Sequence, residues 1–209
     1  MLNKFFKVTV VILGIFLIFT STNLCPNNGS SKTTPHHLFK HHSDSIRSEL
    51  VLQTNNYISQ NFPKSKLTGE ALVAACEKHD FDIVFALAQA EIESGMGTAG
   101  KAMKTNSPWN VGAWDSRSAH TMNKLGYGYS HPDQSIEPYI ELIKSKYLGD
   151  KKTIDDLMKR YVSLSGHRYA SNPRYEIHLK NTYSKICDKT TIQQLQKTLN
   201  DPLLLHVAH

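Results

Sequence analysis

The stretch that decides the reading is Phe81–Gly100, FDIVFALAQAEIESGMGTAG. Its first ten residues are the most apolar run outside the N-terminus. Two acids, Glu91 and Glu93, close the run before a Ser-Gly-x-Gly break. Such a run predicts a buried helix opened by Asp80 or Asp82 as N-cap. It ends near Ser94, because Gly95 and Gly97 break it. At about 100° per residue, Glu91 and Glu93 point to nearly opposite sides of the helix, so only one faces a given cleft. Glu93 shares its side with Ala86, Gln89 and Ala90, whereas Glu91 falls nearer Ile83, Val84 and Leu87. Periodicity does not choose between them. Position favours Glu93, the last residue before the glycine break. A carboxyl half-buried against apolar walls keeps its proton to higher pH and can hand it to a glycosidic oxygen. An ordinary surface glutamate near a helix end fits the same spacing.

Residues 98–131 read differently. They are rich in Gly, Asn, Ser and aromatics and lack a helical period beyond one turn near Lys101. They predict loops and a small β-hairpin, the kind of segment that lines a cleft. On either side the patterns are helical. Helices are predicted from Ile46 to Phe62, from an N-cap at Thr68 to about Lys78, and from an N-cap at Asp133 through QSIEPYIELIKSKYL. Others are predicted over Ile154–Tyr161 and, after the loop GHRYASNP, from Arg174 to about Cys187. A last amphipathic stretch covers Ile192–Leu199. The fold class is therefore mainly α.

The segment FALAQAEIESGMGTAG resembles the signature of the glucosaminidase family, glycoside hydrolase family 73 of the lysozyme-like superfamily. Members carry a stretch close to A-Q-A-x-L-E-S-G-W-G, with the Glu before Ser-Gly as catalytic acid. The matching residue is Glu93, and Glu91 falls on the variable position. Three further blocks resemble the family in its order: KTNSPWNVGAW, YGYSHPDQSIEPYIELI and RYASNPRYEIHL. The four span roughly residues 80–187. The resemblance implies an α+β lysozyme-like fold, a helical domain with a small loop or β-hairpin lobe flanking a glycan cleft. It implies a peptidoglycan hydrolase of the endo-β-N-acetylglucosaminidase type, acting on β-1,4 bonds of glycan strands. A muramidase or lytic transglycosylase of the same fold, or a non-catalytic cell-wall-binding or phage structural protein, are the alternatives.

By the same resemblance Glu93 is the general acid and Tyr169 lies beside it; a core tyrosine is the other reading of Tyr169. Asp115 is the single acid in residues 98–130. It is a candidate second catalytic carboxylate, or an ordinary turn residue of AWDSRS. Of the sugar-contact candidates Trp109, Trp114, Tyr127, Tyr129, Asn106 and Asn110, we single out Asn106, Trp109 and Tyr129 as substrate-binding. Each also fits hydrophobic packing or loop capping. Met96 stands where the family usually has Trp, which predicts a weaker wall to the sugar cleft. Ser171 and Asn172 stand where it has Thr and Asp.

The chain has 209 residues, 40% of them hydrophobic, and a formal net charge of +6. That length buries a sizeable core. Lys4 and Lys7 account for two of the charges, leaving +4 for residues 26–209. This mild basicity suits anionic surfaces such as an acidic wall polymer or lipid headgroups. Without an Arg-rich or aromatic-basic stripe it does not indicate nucleic acid. The basic start MLNKFFK, the apolar run Val8–Phe19 and the polar TSTNLCPNNGSS predict that residues 1–25 are an export signal or a membrane anchor. Membrane association would run through residues 5–24, and the protein would act in the cell envelope or outside the cell.

Residues 26–45 read as a flexible linker. Its histidines, His36, His37, His41 and His42, read as solvated rather than metal-binding. Residues 46–189 form the expected domain and 190–209 a C-terminal helical tail. Cys76 and Cys187 read as buried thiols, with pairing in an oxidising compartment as the alternative. No residue pattern calls for a metal or an organic cofactor, and none sets the oligomeric state.

Overall fold

A computed structural model of the chain describes residues 35–111 and 128–201. The expected leader, Trp114, Asp115, Tyr127 and most of the expected hairpin lie outside the described residues. Eight α-helices occur among those described: α1 (Pro35–Asn61), α2 (Gly69–His79), α3 (Ile83–Ser94), α4 (Ala102–Thr105), α5 (Ile136–Ile143), α6 (Ile154–Lys159), α7 (Tyr175–Lys189) and α8 (Ile192–Asn200). A 3₁₀ turn, Pro132–Ser135, leads into α5, and a π turn, Lys144–Leu148, continues it. The described residues contain one isolated antiparallel bridge, Val162 to Arg168, and no strand. The domain is mainly α, as expected.

Helix α3 is the centre of the fold. Asp82 opens it by accepting a hydrogen bond from the Phe85 N–H at 2.8 Å, and Thr68 opens α2 through the Ala71 N–H. Side-chain oxygens at these positions satisfy N–H groups that the helix leaves orphaned. Every residue from Ile83 to Ala90 is buried. That needs cover on all sides, which α2, α7 and α8 supply. Gly95 closes α3 in the left-handed region, φ 55°, and the Met96 N–H reaches back to the Ala90 carbonyl at 3.0 Å. On α5, Ile136, Tyr139, Ile140 and Ile143 are all buried, as their spacing predicts. Pro138 sits in the first turn of α5, where its missing N–H costs little.

Four boundaries differ from the sequence reading. Helix α1 starts at Pro35, so residues 35–45 of the expected linker are helical. Proline suits a first helical position, no second Pro or Gly interrupts the segment, and the Ser48 hydroxyl bonds back to the Asp44 carbonyl. Asp133 does not cap the next helix. Its two oxygens accept from the Thr68 N–H and hydroxyl at 2.9 and 2.8 Å, tying this turn to the start of α2. Helix α6 ends at Lys159 because Arg160 turns extended and Tyr161 swings into the core.

The expected tail, finally, is part of the domain. Helix α8 packs on α1 and α3, with Ile192 buried. Gln196 accepts from the Ile83 N–H at 3.0 Å and donates to the Phe81 carbonyl at 2.8 Å, so α8 satisfies the first turn of α3.

Cys76 is buried, Cys187 is half-buried, and both thiols are free. No helix among the described residues is long and apolar enough to cross a membrane.

Candidate active site

The two acids at the end of α3 meet different partners. Glu91 accepts from the Tyr57 hydroxyl at 2.5 Å and forms an ion pair with Lys185, joining α1, α3 and α7. It is a structural clamp. Glu91→Ala is expected to cost roughly 1–3 kcal/mol, the range for losing charged hydrogen bonds. The value should fall at the low end, because Lys185, 39% exposed, rehydrates when freed. Urea unfolding reads this.

Glu93 is half-buried on the other side. The Tyr175 hydroxyl donates to its Oε1 at 2.6 Å. The Asn110 amide lies 3.4 Å from Oε2 and 3.3 Å from the Glu93 carbonyl. The short bond fixes Oε1. Oε2 meets Asn110 at the longer distance. Asn110 reaches this place through a left-handed backbone, φ 53°, which Asn tolerates better than most residues. Ser94 holds the two segments together, donating to the Pro108 carbonyl at 2.6 Å and accepting from the Gly97 N–H. Gly97 itself packs against Pro108: an added Cβ would stand 3.3 Å from the proline ring, at φ 83°.

Beside Glu93 runs a groove of about 780 Å³, within the size range of small-molecule sites. Its described walls include Asn110, Tyr147, Tyr169, Asn172 and Tyr175, with Lys101 at one side. Glu93 is the one carboxylate among the described lining residues. Behind it the tyrosines stack. The Tyr169 ring lies parallel to Tyr161 at 4.4 Å, and Tyr147 meets both edge-on. Burial pushes the Tyr169 phenol well above its usual range, and the Glu93 charge adds to this. Burial does the same at Tyr175, with the neighbouring charges of Tyr169 and Glu93 contributing. Both phenols therefore keep their protons across the physiological range and serve the carboxylate as donors.

A carboxyl at the end of a buried helix, held by tyrosine and asparagine beside an open groove, is an arrangement that acid-assisted bond cleavage can use. The family model described as mannosyl-glycoprotein endo-beta-N-acetylglucosaminidase, the glucosaminidase family, matches residues 69–188, more than half of the chain. The chain belongs to the glucosaminidase family. The glucosaminidase match runs from the start of α2 to the end of α7 and contains every described groove residue. Membership makes the protein a glycoside hydrolase of peptidoglycan glycan, a substrate met in the cell envelope or outside the cell. No curated protein matches the chain.

The glucosaminidase groove brings together Glu93 and Tyr169. Trp109 also borders the groove, whereas Asn106 and Tyr129 lie outside its described lining. Trp109 is 1% exposed, stacked on Tyr139 at 4.5 Å with its Nε1–H donated to the Ala86 carbonyl, so no ring face is open to a sugar. Asn106 donates to the Tyr129 and Ser130 carbonyls, and the Tyr129 N–H donates to Thr105. Together they clamp a loop outside the described groove lining. Met96 is fully buried and forms no wall of the groove.

The reading of the sequence missed Tyr175 as a partner of the acid, and it placed Asn110 only among possible sugar contacts. Two local signals pointed to Tyr175: it lies in the RYASNPRYEIHL block, and it is the first residue of α7, immediately after the loop carrying Tyr169.

Proposed function

We propose that the protein is an endo-β-N-acetylglucosaminidase that cuts the β-1,4 bond of peptidoglycan glycan, with Glu93 as general acid. The observation that carries this is the Glu93 carboxylate, fixed at Oε1 by Tyr175 and facing the groove. The Glu93 carboxyl protonates the glycosidic oxygen as the bond breaks and positive charge develops on the sugar ring. Tyr169 and Tyr175 then hold the new carboxylate. Lys101 in the lining and the net positive charge suit an acidic glycan.

Asp115 is the candidate for the second acid that activates water. A lytic transglycosylase is the second reading. The single carboxylate in the described lining favours it, because attack by the substrate's own 6-hydroxyl needs one protein acid.

Digestion of purified peptidoglycan by the full chain, followed by mass spectrometry, tests the proposal. Fragments with reducing-end GlcNAc support it. Reducing-end MurNAc would make the protein a muramidase, and 1,6-anhydro-MurNAc a transglycosylase. No cleavage by the folded protein would overturn the enzyme reading altogether.

Tyr175→Phe removes one hydrogen bond to a charged group, worth about 1.5–3 kcal/mol. If that bond strengthens as Glu93 ionises, kcat falls by about ten- to a hundred-fold with KM little changed. Steady-state kinetics on soluble glycan fragments measures both.

A further inference from the structure

Gln89 stands one helical turn before Glu93 on the same face of α3, and it is completely buried. Its Oε1 accepts from the Tyr139 hydroxyl at 2.8 Å and the Tyr161 hydroxyl at 3.0 Å. Neither tyrosine is free to move. Tyr139 is stacked on Trp109 and edge-on to Phe81, while Tyr161 lies between Tyr169 and Phe85. The amide oxygen is thus spent on two hydroxyls, which fixes the plane and sense of the whole group. Its Nε2 is equally buried, with no hydrogen-bond partner among the described residues. A buried amide N–H in that position calls for a role. The nearest chemistry is Tyr169, whose ring stacks on Tyr161, the residue Gln89 already holds. The Tyr169 phenol feels both sides, lowered by Gln89 and raised by burial and by Glu93.

We propose that Gln89 is a positioning residue: its amide N–H turns toward the Tyr169 oxygen, so that the Tyr169 hydroxyl is aimed at Glu93. The inference rests on Glu93 being the general acid. A phenol that receives a hydrogen bond becomes a stronger donor in turn. The Gln89–Tyr169–Glu93 relay therefore strengthens the hold on the carboxylate as it forms. The titratable groups facing the relay are Tyr139, Tyr147, Tyr161, Tyr175 and Glu93, with Cys76 behind Tyr139.

The test uses the full chain and two substitutions, Gln89→Met and Tyr169→Phe, each alone and combined. Thermal melting verifies the fold, and kcat for release of soluble glycan is measured against pH. Gln89→Met is expected to lower kcat by roughly ten-fold, the rate equivalent of one polarised hydrogen bond. The alkaline limb should move to higher pH, because the carboxylate is less well held. In the Tyr169→Phe background the same change should cost less than about two-fold and leave the limb in place, since coupled residues are not additive. Equal losses in both backgrounds with an unmoved limb would reduce Gln89 to a packing residue and overturn the proposal.

Should Gln89→Met fail to fold, Tyr169→Phe alone decides. It removes the hydroxyl that the relay aims at Glu93 and leaves Gln89 bonded to Tyr139 and Tyr161, so the same limb shift is expected. A pH profile superimposable on the wild type would be the refutation. Undiminished turnover by Glu93→Gln is a separate failure, which removes the general acid rather than the relay.

Discussion

Glu93→Gln is expected to leave a folded protein that still binds peptidoglycan and no longer cuts it. The carboxamide has nearly the shape of the acid, and its oxygen still accepts from Tyr175, so neither the groove nor the end of α3 has reason to change. What disappears is the transferable proton. General acid catalysis contributes about 10²–10⁴-fold, and no other carboxylate lines the described groove to take over. We expect kcat to fall by at least about 10³-fold, with melting temperature and wall sedimentation close to wild type. Glu91, two residues earlier, is the matched control. Glu91→Gln touches only the clamp with Tyr57 and Lys185 and should leave turnover nearly intact. Retained turnover in Glu93→Gln, or equal loss in both variants, would show that the wrong acid has been assigned.

Trp109→Ala should have the largest effect on stability. Trp109 is among the largest fully buried side chains of the described domain, and truncation opens a cavity at the base of the groove. Aromatic-to-Ala changes in cores cost about 3–5 kcal/mol, and the stack on Tyr139 and the bond to the Ala86 carbonyl are lost as well. Domains of this size have only about 5–15 kcal/mol in total. The variant should therefore unfold at far lower urea than wild type, or fail to fold. Trp109→Phe keeps most of the apolar volume and should recover much of the loss. A stable Trp109→Ala protein that differs only in a raised KM would return this ring to the sugar, as its sequence context suggested.

These two residues mark where the sequence is readable and where it is not. The caps at Thr68 and Asp82, the glycine stop at Gly95 and the apolar face of α5 are local events, each decided within a turn of helix, and the structure shows them at the expected positions. Choosing Glu93 needed the motif around it, because helical periodicity gives each acid a face without saying what the face meets. The structure supplies that: Lys185 and Tyr57 meet Glu91, while Tyr175 and the groove meet Glu93. Aromatic residues in the glycine-rich segment were harder still. A tryptophan suits a sugar-binding wall and a core equally well, and only packing distinguishes them.

By itself, then, the sequence determined a mainly helical domain, its central helix and the pair of acids at that helix's end. The tertiary structure alone decided that α8 belongs to the core, that Trp109 is buried, and that Tyr139, Tyr161, Tyr169 and Tyr175 converge on Gln89 and Glu93. The physical reason is range. Caps and helical periods act over three or four residues, whereas these contacts join residues from 23 to more than 100 positions apart, whose meeting depends on how whole helices pack.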